Sequence, residues 1–90
     1  MRSSTDHRIK LLEFLRERDY ILRYQNPDAL REFLKKRNLP VPRSKAVMEI
    51  TWHKSITAAK NLPKEYRLKS KKWLEVRGYH ALDDGDLEKM

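Results

Sequence analysis

Four prolines, Pro27, Pro40, Pro42 and Pro63, set the limits within which this chain of 90 residues can fold. A proline lacks the backbone donor that a helix interior or a sheet ladder needs, so it stands at the first turn of a helix or beyond its end. The stretches between these prolines carry apolar residues close to helical spacing. Their pattern predicts an all-α fold, a small bundle of about four short helices.

A first amphipathic helix is expected from about Thr5 to Arg18, after a cap at Ser4 or Thr5. Leu11, Leu12, Leu15, Ile21 and Leu22 lie near one stripe, with Phe14 beside them. The segment Tyr20-Ile21-Leu22-Arg23-Tyr24 reads either as its continuation or as a short strand. Asn26-Pro27-Asp28 starts a second helix: Asn26 accepts a free N–H, Pro27 suits the first turn and Asp28 complements the dipole. Ala29, Leu30, Phe33 and Leu34 form its apolar set, and Asn38 closes it in a left-handed conformation. Leu39-Pro40-Val41-Pro42-Arg43 is then an extended connector. Ser44 caps a third helix that ends near Asn61, with Val47 and Ile50 on one stripe and Trp52, Ile56 and Ala59 on a neighbouring one. Pro63 opens a fourth, with Tyr66, Trp73 and Leu74, and Gly78 caps it after Arg77. The Asp83-Asp84-Gly85-Asp86 turn can close a C-terminal β-hairpin, with an acidic tail as the alternative. Residues 1–82 are thus expected to make one basic helical domain, and residues 83–90 an acidic turn or tail.

The chain contains no cysteine. Disulfide scaffolds, thiolate catalysis and Cys-ligated zinc are therefore excluded, and an intracellular location is expected. No apolar run approaches the roughly 20 residues that span a bilayer, so no membrane partner is expected. The net charge of +8 is unevenly spread. Residues 1–30 hold six basic and five acidic side chains, residues 31–78 hold fourteen and four, and residues 79–90 hold one and four. A basic central block of this kind attracts polyanions and gains from counterion release when it meets phosphates.

Little in the chain points to catalysis. His7, His53 and His80 lack the spacing of a metal pair, and the acidic cluster at residues 83–86 lacks the alternating ligands of a calcium loop. No glycine-rich phosphate loop is present, and Ser44, Ser55 and Ser70 have no evident His-and-acid partners. The expectation is a non-enzyme without metal or cofactor.

Two segments resemble nucleic-acid-binding folds. Leu30-Arg31-Glu32-Phe33-Leu34-Lys35-Lys36-Arg37-Asn38-Leu39-Pro40, followed by Arg43-Ser44-Lys45-Ala46-Val47-Met48, resembles the SAP family, a helix-extended loop-helix module, over residues 27–52. The shared elements are Leu30 and Leu34, the basic Lys36-Arg37 end, Leu39-Pro40 in the loop and Lys45-Ala46 opening the next helix. The resemblance implies DNA binding, with Lys36, Arg37, Arg43 and Lys45 facing phosphate. The loop glycine common in that family is replaced here by Arg43-Ser44.

Residues 56–90 are similar to a winged helix-turn-helix. Ala58 and Ala59 would allow a close helix approach, and Glu65 to Arg77 would be the recognition helix. Gly78-Tyr79-His80-Ala81-Leu82 and the Asp-Gly turn would form a wing, and Lys64, Arg67, Lys69, Lys71 and Lys72 would be directed at DNA. Leu62-Pro63 stands where that turn usually has glycine, and an acidic wing would repel phosphate.

From the residues themselves, Trp52 and Trp73 fall on apolar stripes and are expected as core anchors. The basic clusters formed by Lys35, Lys36, Arg37, Arg43 and Lys45 and by Lys69, Lys71 and Lys72 suit phosphate neutralisation; the two resemblances imply DNA in preference to RNA, and with it a nuclear setting in a eukaryote and a cytoplasmic one otherwise. The alternative is a helical protein-interaction adaptor whose basic face meets an acidic partner, with Tyr20, Tyr24, Tyr66 and Tyr79 as contact area.

Overall fold

A computed structural model describes residues 4–83, 85 and 87, with side chains from residue 8. Its elements are α1 (Ser4–Tyr24), α2 (Pro27–Lys36), α3 (Lys45–Ala58) and α4 (Lys64–Val76), and the fold is all-α. No strand occurs among the described residues, and Asp84 and Asp86, on which the expected hairpin turn falls, lie outside them.

Local chemistry sets the helix ends. Asn26 is extended and its side-chain oxygen accepts the Ala29 N–H at 2.9 Å, and Ser44 does the same for Val47 at 3.1 Å. At the other end, α2 and α4 close alike. Asn38 (φ 56°) and Gly78 (φ 83°) take the left-handed conformation, and the residue after each donates back across the turn, Leu39 to the Leu34 carbonyl at 3.0 Å and Tyr79 to the Leu74 carbonyl at 2.9 Å. This closure satisfies carbonyls that the helix leaves without partners.

The helix α1 runs unbroken to Tyr24, six residues beyond the expected end at Arg18. The strand-like composition of residues 20–24 is overruled by packing, because Ile21 and Leu22 turn inward against Leu30 and Phe33 of α2 and Met48, Trp52 and Ile56 of α3. Ala59 and Leu62, in the connection to α4, complete this cluster, with Phe14, Ala29, Leu34 and Tyr66 around it. On α3 the inward line is Met48, Trp52 and Ile56, whereas Val47 faces solvent. Trp52 is a core anchor, as its stripe suggests.

Candidate nucleic-acid interface

The ten cations expected to meet phosphate divide into three groups. Arg67 and Lys71 are corrections to the sequence reading, because both are buried. Arg67 is 1% exposed and its guanidinium donates to the Thr57 carbonyl, from Nε at 3.2 Å and Nη2 at 2.7 Å. Lys71 is 8% exposed and its ammonium meets the Asp83 carboxylate at 2.8 Å. That hydrogen bond is the main reason the Asp83 carboxyl titrates below its ordinary range, against the opposing effect of burial. Both cations bind the molecule to itself.

Arg37 is at the surface but engaged. It pairs with Glu17 of α1, and its guanidinium lies 5.2 Å from the Phe14 ring centre and 4.7 Å from that of Phe33, two rings that themselves touch at 5.0 Å. The contact fastens the end of α2 to α1, each cation–π component contributing about 0.5–1 kcal/mol at such a site.

The remaining cations, Lys35, Lys36, Arg43, Lys45, Lys64, Lys69 and Lys72, are exposed. Lys35 and Lys36 end α2, and Arg43 and Lys45 flank the capped start of α3. No acid interrupts the sequence from Lys35 to Lys45. In space, acids stand near both ends: Lys36 lines a cleft of about 390 Å³ with Glu17 and Glu32, and Lys45 lines one of about 330 Å³ with Asp28 and Glu49. On α4, Lys69 and Lys72 share the outer face with Glu65, Leu68, Glu75 and Val76, so this strip is mixed rather than basic.

A further set escaped the sequence reading. Arg23, Tyr24, Pro63, Glu65, Tyr66 and Lys69 line a cleft of about 430 Å³ between the end of α1 and the start of α4. The Tyr66 hydroxyl donates to the Leu22 carbonyl, which holds its ring in place, and burial raises its ionisation above the ordinary value. Tyr24 is 66% exposed, and its ring centre lies 5.2 Å from that of Tyr20 and 5.5 Å from the Arg23 guanidinium. The available signal was the four-residue spacing of Tyr20 and Tyr24 with Arg23 between them, which places an aromatic pair on one helix face.

Trp73 is half-buried rather than fully interior. His53 stacks on it at 4.1 Å and 21°, and the Arg77 guanidinium lies 4.0 Å from its centroid. His53 Nδ1 and Ser70 Oγ are 2.9 Å apart. Burial lowers the His53 pKa, Glu49 opposes this and Arg77 adds to it. Ser70 is itself buried at 3% exposure, and this His–Ser contact ties α3 to α4. Among the described residues, no group of His, Asp or Glu could hold a metal ion, and no helix is long and apolar enough to cross a membrane.

No family model matches the chain, and no curated protein or solved structure matches it either.

Proposed function

We propose that this protein is a nucleic-acid-binding module that acts through phosphate contacts, most strongly at the junction of α2 and α3, with duplex DNA as the favoured ligand. The observation that carries this reading is the acid-free run from Lys35 to Lys45, whose five cations are all solvent-exposed. Lys35, Lys36, Arg43 and Lys45 would neutralise phosphates, and the start of α3 adds the positive end of its dipole. Lys64, Lys69 and Lys72 would play a lesser part, since Glu65 and Glu75 share the α4 surface with them. The proposed setting is intracellular, nuclear in a eukaryotic cell.

The test is fluorescence anisotropy on labelled duplex DNA from about 50 to 200 mM salt, with the wild type and a variant carrying Ala at Lys35, Lys36, Arg43 and Lys45. Each lost phosphate contact lowers the log–log salt slope by about 0.9. The variant is expected to bind more weakly across unrelated sequences, with a slope reduced by about 2 to 4. A wild type that binds no nucleic acid at the lowest salt rejects the reading.

A helical adaptor is the second reading, and α1 favours it. Ile9, Leu11 and Leu12 of that helix are 49%, 57% and 57% exposed. An apolar surface of this kind suits a protein partner.

A further inference from the structure

Phosphate contact alone gives no use for the aromatic cleft between α1 and α4. Exposed cations suffice to hold a duplex backbone, and stacked bases inside a duplex offer no free face to a tyrosine. Yet Tyr20 and Tyr24 are 56% and 66% exposed, and their rings adjoin one another instead of packing inward. Beside them the cleft of about 430 Å³ has apolar walls from Tyr66 and Pro63 and cations at Arg23 and Lys69.

We propose that this cleft binds an unpaired nucleotide of single-stranded nucleic acid, with its base stacked on Tyr24 and its phosphate held by Arg23 and Lys69. This rests on the nucleic-acid reading above and adds, beside the duplex-binding α2–α3 junction, a second site for an unpaired strand. The geometry meets both demands of such a ligand: a tyrosine that is 66% exposed, and cations lining the same cleft. Tyr24 is suited to stacking because the Arg23 guanidinium already lies beside its ring, so a base entering there meets aromatic and cationic surface together. Glu65, the acid in the cleft, can accept a hydrogen bond from a base N–H, and it disfavours a second phosphate at that point. Base stacking is tolerant of sequence, since every base has a π-face.

Three probes and three proteins decide the matter. The probes are an oligothymidylate of about 12 nucleotides, an oligonucleotide of the same length and charge made wholly of abasic sites, and a duplex, the length chosen from the site sizes of single-strand binders. The proteins are the wild type, Tyr24→Ala and Tyr24→Phe, each checked for an unchanged unfolding temperature. The wild type is expected to bind oligothymidylate about tenfold more tightly than the abasic strand. Tyr24→Ala should abolish most of that difference without changing the salt slope, and Tyr24→Phe should keep it. Equal affinity for the abasic strand and oligothymidylate overturns the inference and leaves phosphate binding standing. The same holds for Tyr24→Ala binding oligothymidylate as the wild type does. Absence of binding to all three probes overturns both.

Discussion

Replacing Arg67 by Ala should unfold this protein more readily without touching its ligand surface, the opposite of what a recognition-helix residue would do. The side chain is 1% exposed and directs two N–H groups at one carbonyl, that of Thr57 next to the end of α3. Hydrogen bonds to charged groups contribute about 1.5–3 kcal/mol, and leaving the buried acceptor unmatched costs about 1–3 kcal/mol. Because both donors share one oxygen, they count as little more than one strong bond. Loss of the packed stem adds a cavity term, and relief from burying a charge subtracts from the total. The sum is about 3 kcal/mol for Arg67→Ala. Arg67→Met keeps the stem volume and removes the buried charge, so its cost should be about half of that. Urea unfolding followed by tryptophan fluorescence gives the comparison, Trp52 being buried in the core. Thermal unfolding should show a fall of about 15 °C for the Ala variant, from about 4–8 °C per kcal/mol in a domain of this size. Duplex affinity, measured well below that transition, should match the wild type. An Ala variant within about 0.5 kcal/mol of wild-type stability that has lost affinity for DNA would refute the assignment of Arg67 to the interior.

Two titrations supply further checks. His53 has a native pKa below its ordinary 6.5, chiefly through burial. Between the two values the unfolded chain binds more protons, so the contribution of neutral His53 is full above 6.5 and is lost as pH falls through the native pKa. Ring proton shifts should show the lowered midpoint, and His53→Gln should flatten the dependence of the urea midpoint on pH over this range; an unshifted midpoint counts against burial as the cause. Asp83 is also lowered, from 3.8, here mainly by the Lys71 hydrogen bond. Its contribution is present above 3.8 and disappears as pH falls through the native value. Asp83→Asn should therefore remove that acid limb. It should also speed hydrogen exchange at the Leu82 N–H, which donates to Thr57 Oγ1 at 2.9 Å, by roughly tenfold. Exchange unchanged at Leu82 would show that the Lys71–Asp83 pair does not secure this segment.

The punctuation of the fold was legible because caps are local. Asn26, Ser44, Asn38 and Gly78 each act on backbone groups within a few residues, and each does what its chemistry suggests. What periodicity does not contain is relative length. Leu11 lies on the same stripe of α1 as Leu22, yet it remains exposed while Leu22 is buried. A helix of 21 residues is about 32 Å long and the one of 10 residues beside it about 15 Å, so α2 covers only part of α1. Two cations of α4, Arg67 and Lys71, depart from what their residue type suggests for a different reason: spacing outweighs identity. Arg67, Ser70, Lys71 and Leu74 follow the i, i+3, i+4, i+7 pattern of an inward stripe, and all four are buried. Leu68 and Val76, apolar but off that stripe, face solvent instead. The aromatic cleft lay beyond local pattern altogether, since its two walls come from residues separated by about forty positions in the chain.

Formal charge therefore overstates what such a small domain can present to a ligand. A chain with 39% hydrophobic residues uses the stems of long cations as packing material and needs internal acceptors for their heads, as Thr57 and Asp83 provide for Arg67 and Lys71, while Glu17 engages Arg37 at the surface. What remains outside is graded by its neighbours. Lys35 and Arg43 sit in an acid-free stretch, whereas Lys36 shares a cleft with Glu17 and Glu32, Lys45 lies near Asp28 and Glu49, and Lys69 and Lys72 lie between Glu65 and Glu75. Each nearby carboxylate lowers the local potential and so the number of counterions that a bound phosphate releases. The proposed interface thus has an internal order that total charge cannot supply. Neutralising Lys35, Lys36 and Arg43 should reduce the salt slope of duplex binding more than neutralising Lys69 and Lys72. The reverse order would move the phosphate site from the α2–α3 junction to the outer face of α4.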